Sequence, residues 1–176
     1  MSDNPAISID KEKRVLDFLG SHGIAVDICR HPPVYTCEEA EALVPDLPGR
    51  NTKNLFLRDR SGHRHFLVVT DPDMRVDLRA LAESLDVSRL MFASPDRLKR
   101  LLGIDPGSVS MLALMHDTEG KVECIVDENI WGSDVFKCHP MVNTATLLIA
   151  KDGLERFLNE TGHRARVLEL PRRLES

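Results

Sequence analysis

At 176 residues and 42% hydrophobic composition, the chain carries enough apolar side chains for one sizeable core, and its length calls for no second domain. A formal net charge of -5 excludes a general nucleic-acid coating protein, which needs clustered Lys and Arg to neutralise phosphates. The opening residues MSDNPAISID lack the basic flank and apolar run of a secretory signal, and no stretch approaches bilayer length, so a cytoplasmic protein without a membrane partner is expected.

Asp10 is placed to cap a first helix carrying Val15, Leu16 and Leu19 on one face, with Gly20 or Gly23 at its end. Ile24 to Ile28 alternates as a short strand does, and Pro32-Pro33 stops pairing. Thr36 and Glu39 form a capping box for a second helix, closed by Pro45. The turn-rich stretch Val44 to Asn51 is expected to be a mobile loop leading into Lys53. Asn54 to Asp59 and His65 to Thr70 flank a Ser61-Gly62 turn and predict a hairpin. Asp77 opens a helix through Leu85, Leu90 to Ala93 is a strand, and Ser94-Pro95 starts a helix that Gly103 ends.

After the turn Asp105-Pro106-Gly107, the apolar runs Val109 to Met115 and Val122 to Val126 predict a second hairpin around Asp117 to Gly120. Val135 to Cys138 and Thr146 to Ala150 predict further strands. Asp152 caps a last helix with Leu154, Phe157 and Leu158, ended by Gly162, and Val167 to Leu170 completes the pattern. Seven or eight strands and five helices in mixed order imply an α/β (α+β) fold with a curved, mixed sheet flanked by helices.

The familiar catalytic signatures G-x-S-x-G, G-x-G-x-x-G, H-E-x-x-H and the P-loop are absent. Cys29, Cys37, Cys124 and Cys138 form no C-x-x-C pair, so reduced thiols are expected rather than a zinc site or disulfides. His63 and His65 share a strand face but flank a turn without an evident third ligand, and no metal or other cofactor is assigned. Cys138 and His139 point to opposite faces, which favours a buried Cys138 beside a site-facing His139 over a thiol-imidazole pair. Two basic groups, Arg50, Lys53, Arg58, Arg60 and Arg64, then Arg97, Lys99 and Arg100, are either solvated side chains or phosphate contacts.

Three segments carry more polar chemistry than packing needs. Lys53 precedes an apolar strand and shares the face of Leu55, where it either meets an anion or snorkels at the strand edge. Gly107-Ser108-Val109-Ser110 is either a plain turn or a set of backbone N–H donors converging on an oxyanion. His139 to Thr146 concentrates an imidazole, Asn143, Thr144 and a second hydroxyl, which either orient a small amino acid or cap a turn.

In this order the segments resemble the YbaK/prolyl-tRNA synthetase editing-domain superfamily, in particular its free-standing editing proteins. The likeness runs from His31-Pro32-Pro33-Val34-Tyr35-Thr36 with Glu38-Glu39-Ala40, through Lys53-Asn54-Leu55-Phe56-Leu57, Leu101-Leu102-Gly103 and Pro106-Gly107-Ser108-Val109, to His139-Pro140 and Asn143-Thr144-Ala145-Thr146. The resemblance implies a barrel-like mixed sheet with surrounding helices and hydrolysis of a wrong amino acid, characteristically alanine, from proline tRNA. It also implies that Lys53 holds the terminal adenosine, that the Gly107 to Val109 backbone contacts the aminoacyl carbonyl, and that His139 shapes the amino-acid pocket. Its partner would be the acceptor end of tRNA, aided by a synthetase or elongation factor; the oligomeric state is left open. Binding alone separates small side chains poorly, which is why a second, hydrolytic sieve is useful. The tRNA's vicinal hydroxyl can assist the water, so no protein general base is assigned.

Many relatives carry Gly-x-x-x-Pro in the glycine loop, whereas Met111 stands here where the proline would fall. Methionine restores a backbone donor and reshapes an apolar pocket, which bears on the choice of amino acid. Serine, threonine or a small non-protein amino acid are compatible alternatives to alanine. Two other readings stand beside the deacylase: a non-catalytic aminoacyl-tRNA-binding paralogue, and a small-molecule amidase or thioesterase.

Overall fold

The computed structural model describes residues 5–34 and 47–173, with side chains from residue 10 onward. The predicted helix at Thr36 to Pro45 and Cys37 lie outside the described residues. In chain order the helices are α1 (Pro5–Ser21), α2 (Leu78–Ser84), α3 (Pro95–Leu102), α4 (Glu128–Trp131) and α5 (Lys151–Glu160), with a 3₁₀ helix over Met111–His116. The strands are β1 (Val26–Arg30), β2 (Lys53–Asp59), β3 (His65–Thr70), β4 (Leu90–Phe92), β5 (Val122–Asp127), β6 (Val135–Cys138), β7 (Ala145–Ala150) and β8 (Ala165–Leu168).

The expected mixed α/β architecture is present, with the strands divided between two open sheets. One has the order β1-β7-β6, the other β4-β2-β3-β5-β8. The larger is mixed: β3 pairs antiparallel with β2 and parallel with β5, and β5 pairs parallel with β8. Every residue of β3 is buried, as expected of a central strand covered on both faces. On one face Phe56, Leu67, Val69 and Val126 meet the smaller sheet, α1, α3 and α5. On the other, Leu57, Phe66, Val68 and Ile125 pack under Leu81 and Ala82 of α2 and its C-cap Leu85. Among the described residues no helix is long and apolar enough to cross a membrane.

The hairpin β2–β3, the Asp77 and Ser94 caps and the Gly103 stop occur where the sequence predicts them. Several boundaries move. α1 begins at Pro5 rather than after Asp10, which instead pairs with Arg14 one turn on at 2.9 Å. β1 is displaced to Val26–Arg30 and β8 to Ala165–Leu168, because pairing with β7 and β5 decides which residues are strand. α5 starts at Lys151 without a side-chain cap, Asp152 lying in its first turn.

The largest correction concerns Val109 to Met115. It is not a strand, and no hairpin joins it to β5; Ser110 accepts a hydrogen bond from Leu112 N–H at 3.2 Å and caps the 3₁₀ helix. A continuous apolar run is periodically ambiguous, and the side chains Met111 to Leu114 reach the core as a tight helix. The turn expected at Asp117 is held by that side chain, which accepts from Lys121 N–H at 3.0 Å and Val122 N–H at 2.7 Å. His163 Nε2 lies 3.0 Å from Asp117 Oδ2, and both side chains are buried. This contact ties the end of the 3₁₀ helix and the start of β5 to the end of α5.

Replacing His163 with Ala is expected to lower the unfolding free energy by about 2 kcal/mol, because Asp117 loses a buried partner. A urea midpoint that falls at unchanged slope would register it; an unaltered midpoint would contradict it.

Candidate functional site

The two sheets are spliced just ahead of β2. Arg50 bridges Phe136 in parallel, donating from its N–H to Val135 O at 2.8 Å and accepting from Lys137 N–H at 3.0 Å. Gly49 makes this approach possible: at φ 109°, an added Cβ would stand 3.1 Å from Val135 O. The stretch expected to be a mobile loop is therefore pinned to β6 from this glycine onward. Thr52 continues the seam, its hydroxyl donating to Lys137 O at 3.3 Å. The start of β2 and the segment after β6 are brought together in this way.

The pleat sends the first residues of β2 to opposite faces. Lys53 and Leu55 face α2, where Lys53 Nζ donates to Pro72 O at 3.3 Å and both line a cavity of about 570 Å³. Asn54 shares the parity of Phe56, which packs in the larger core, and its Oδ1 is buried without a partner among the described residues. The sequence reading left Asn54 out of the site; the available signal was an amide at a core-directed position of a strand.

On the Asn54 side stand the glycine loop and the segment after β6. Ser110 Oγ donates to His139 O at 2.5 Å, joining the two loops directly. Met141 holds a left-handed φ of 60° while 2% exposed, a strained conformation for a side-chain-bearing residue that sharply bends the chain between His139 and Asn143. Asn143 O accepts from Val34 N–H and Thr144 O from His31 N–H, each at 3.0 Å, so residues 31–34 run alongside this loop. His31 Nδ1 meets Pro32 O at 2.9 Å and must donate to it, which leaves Nε2 of the neutral ring to accept from the Thr146 hydroxyl at 3.1 Å.

His139 Nδ1 is buried and has no partner among the described residues. Burial holds this imidazole below the ordinary histidine value, opposed by a backbone contact with Ala145 and reinforced by His31. Cys138 beside it is buried and its thiol is pushed up to about 12 by desolvation, which makes it inert as a nucleophile. The burial of Cys138 is as expected.

Gly107 is exposed in its turn with φ 91°, and an added Cβ would meet open space, so the backbone angle rather than crowding favours glycine. Ser108 N–H closes the turn on Asp105 O at 3.3 Å, whereas the Gly107 and Val109 N–H groups have no partner among the described residues. Met111 is 1% exposed and belongs to the core wall behind the loop. The structure thus joins Ser110, His139, Asn143 and Thr144 into one cluster. It sets the Lys53 side chain on the face of β2 that meets α2, where it lines the cavity of about 570 Å³.

The other histidine pair has separate employment: His65 Nε2 lies 2.8 Å from an Arg97 guanidinium nitrogen, and His63 Nδ1 lies 3.0 Å from Ser61 Oγ. Most of the basic groups noted in the sequence are also engaged internally. Arg64 pairs with Glu123 at 2.7 Å, Arg50 with Asp71 at 2.5 Å and Lys99 with Asp105 at 3.5 Å.

The profile of the aminoacyl-tRNA editing domain matches residues 31–157, the span that contains every part of this arrangement. The chain belongs to the aminoacyl-tRNA editing domain family. It is similar to the prolyl-tRNA editing protein ProX of Acetoanaerobium sticklandii, 34% identical over 93% of this chain and the whole of that protein. It is also similar to prolyl-tRNA synthetase associated domain-containing protein 1 of Danio rerio, 38% identical over 88% of this chain and 85% of that one. A solved structure of a candidate trans-editing enzyme for prolyl-tRNA synthetase shares the fold at TM-score 0.71 and 21% identity, covering 98% of this chain and all of that one.

Burial also depresses His65, with Arg97 adding to it, and His116, with Arg14 adding to it. A histidine depressed in the folded state contributes stability that is present above its unfolded value of 6.5 and is lost as pH falls through the folded one. Unfolding free energy should therefore decline on acidification below pH 6.5, and His139→Gln should make that decline shallower. Denaturant titrations between pH 7.5 and 5 test this; identical pH slopes in the two proteins would refute it.

Proposed function

We propose that this chain is a trans-acting aminoacyl-tRNA deacylase that hydrolyses the ester of mischarged tRNA, with alanine on proline tRNA, or another small amino acid on tRNA, as its substrate. The observation that carries the reading is the juxtaposition, within the editing-family segment, of free Gly107 and Val109 N–H groups with the Ser110-anchored His139 loop. A buried imidazole nitrogen and a buried amide oxygen without partners are costly in a wall that only packs. They are understandable in one where the amide oxygen accepts from the ammonium of an aminoacyl group and the imidazole nitrogen meets another of its polar atoms.

In the reaction, a water oxygen adds to the ester carbonyl carbon and the carbonyl electron pair moves onto oxygen. Collapse of this intermediate breaks the bond to the ribose oxygen, which leaves with the proton given up by the water. The Gly107 to Val109 backbone donates to the oxyanion, so no acidic side chain is required. His139, Asn143 and Thr144 orient the amino-acid side, and Met111 sets the depth of the wall behind it. The Lys53 ammonium, across β2, holds the phosphate or ribose of the terminal adenosine and fixes the ester for attack. The vicinal hydroxyl of the tRNA relays the proton.

Release of label from Ala-tRNA(Pro), Ser-tRNA and Thr-tRNA tests the reading. Wild type should hydrolyse at least one of them, and Lys53→Ala should lower kcat/KM by roughly 100-fold, the scale of one preorganised electrostatic contact. Failure of wild type on every substrate would sink it, and tight binding of a non-hydrolysable analogue without turnover would assign a binding paralogue instead.

A further inference from the structure

The cavity on the α2 face of the larger sheet collects a charge that the chain as a whole does not have. Lys53 enters it from β2, Arg75 and Arg79 from the segment that leads into and opens α2, and Arg173 from the end of the described chain. Among the described residues the one carboxylate on its lining is Asp77, whose Oδ1 is committed to capping Arg79 N–H at 2.9 Å and Ala80 N–H at 3.1 Å. Setting Arg75 aside, Lys53, Arg79 and Arg173 still outnumber Asp77 and the Glu83 that pairs with Arg79 at 3.6 Å, so in a protein of net charge -5 the described lining favours an anion. The backbone holds the rim together: Val76 bridges Arg172, and Arg173 N–H donates to Arg75 O at 2.8 Å.

The same cavity is lined by Phe92, which is 64% exposed at the end of edge strand β4. It lies opposite Leu57 in the register, and Leu57 shares the parity of Lys53 and Leu55, so the aromatic ring stands on the cavity face. A phenylalanine left in solvent beside arginines contributes nothing to the core, and its flat face next to a cationic pocket is the combination that single-stranded nucleic acid uses. The volume, about 570 Å³, falls within the range of sites that enclose a small organic ligand.

We propose that this cavity binds an unpaired nucleotide of the single-stranded 3′ end of an RNA, its base stacked on Phe92 and its phosphate held by Arg79 and Arg173. The assignment rests on the deacylase reading for the identity of the RNA. In it Lys53 belongs to both sites, reaching the terminal adenosine from the edge of the cavity while the preceding nucleotide lies deeper against Phe92. A few phosphate contacts in one pocket, rather than a basic surface, reconcile tRNA recognition with an acidic chain.

Binding of an uncharged RNA hairpin with a four-nucleotide 3′ overhang tests the proposal without requiring turnover, alongside a blunt hairpin and free AMP. Wild type should prefer the overhang. Phe92→Ala should weaken that binding by roughly tenfold, the effect of losing one stacking contact. Arg79→Ala should weaken it and reduce the slope of log affinity against log salt by about one. Both side chains are exposed or at a rim, and unchanged thermal melting of the variants would exclude misfolding as the cause. Equal affinity for blunt and overhanging hairpins, or no effect of Phe92→Ala, would overturn the proposal. AMP binding as tightly as the overhang would assign the pocket to a free nucleotide and overturn the RNA assignment. Phe92-dependent overhang binding in a protein that hydrolyses no aminoacyl ester would refute the deacylase reading alone.

Discussion

The parallel bridge between Arg50 and Phe136 is the constraint on which the rest depends. Without it the two sheets would meet there through apolar side chains and the Thr52 hydroxyl, which fix distance more than register. Backbone hydrogen bonds set a register, and a shift of one residue would send Lys53 and Asn54 to each other's faces. The seam therefore decides that the ammonium reaches the α2 cavity and the amide reaches the His139 side. Gly49 is part of the same constraint, since any side chain there would meet the Val135 backbone.

Around that seam the polar groups follow two different logics. Asp117, His163 and Ser110 are buried and well partnered, and they tie loops to the core. Asn54 Oδ1, His139 Nδ1 and, away from them, His65 Nδ1 are buried without described partners, and Met141 between His139 and Asn143 is strained. Folded proteins satisfy nearly all of their buried polar atoms, and the exceptions concentrate where a ligand or a reaction needs them.

The family resemblance and the helix caps were legible because they are local. Ser94-Pro95, Asp77 and the Ser61-Gly62 turn act within four residues, and their structural partners lie in the same short stretch. Val109 to Met115 was misread for the opposite reason: an unbroken apolar run satisfies a strand or a buried helix equally, and only Ser110 and the space inside the core decide between them. Likewise β5 looked like the second arm of a hairpin, yet it lies parallel to β3 and β8, pairings that join residues far apart in the chain.

The amino-acid sequence by itself determined the mixed α/β character, the editing-family identity and the short turns, since alternation, capping and ordered motifs are written along the chain. It also determined that Lys53 and Leu55 share a face, because the pleat has a period of two. Tertiary structure alone decided what that face meets. Lys53, the Arg75 to Arg79 segment and Arg173 come from separate parts of the chain, and Phe92 reaches them only as the end of an edge strand. Charge adds in space, not along a sequence, so a chain of net charge -5 builds a cationic cavity once folding has sorted its side chains.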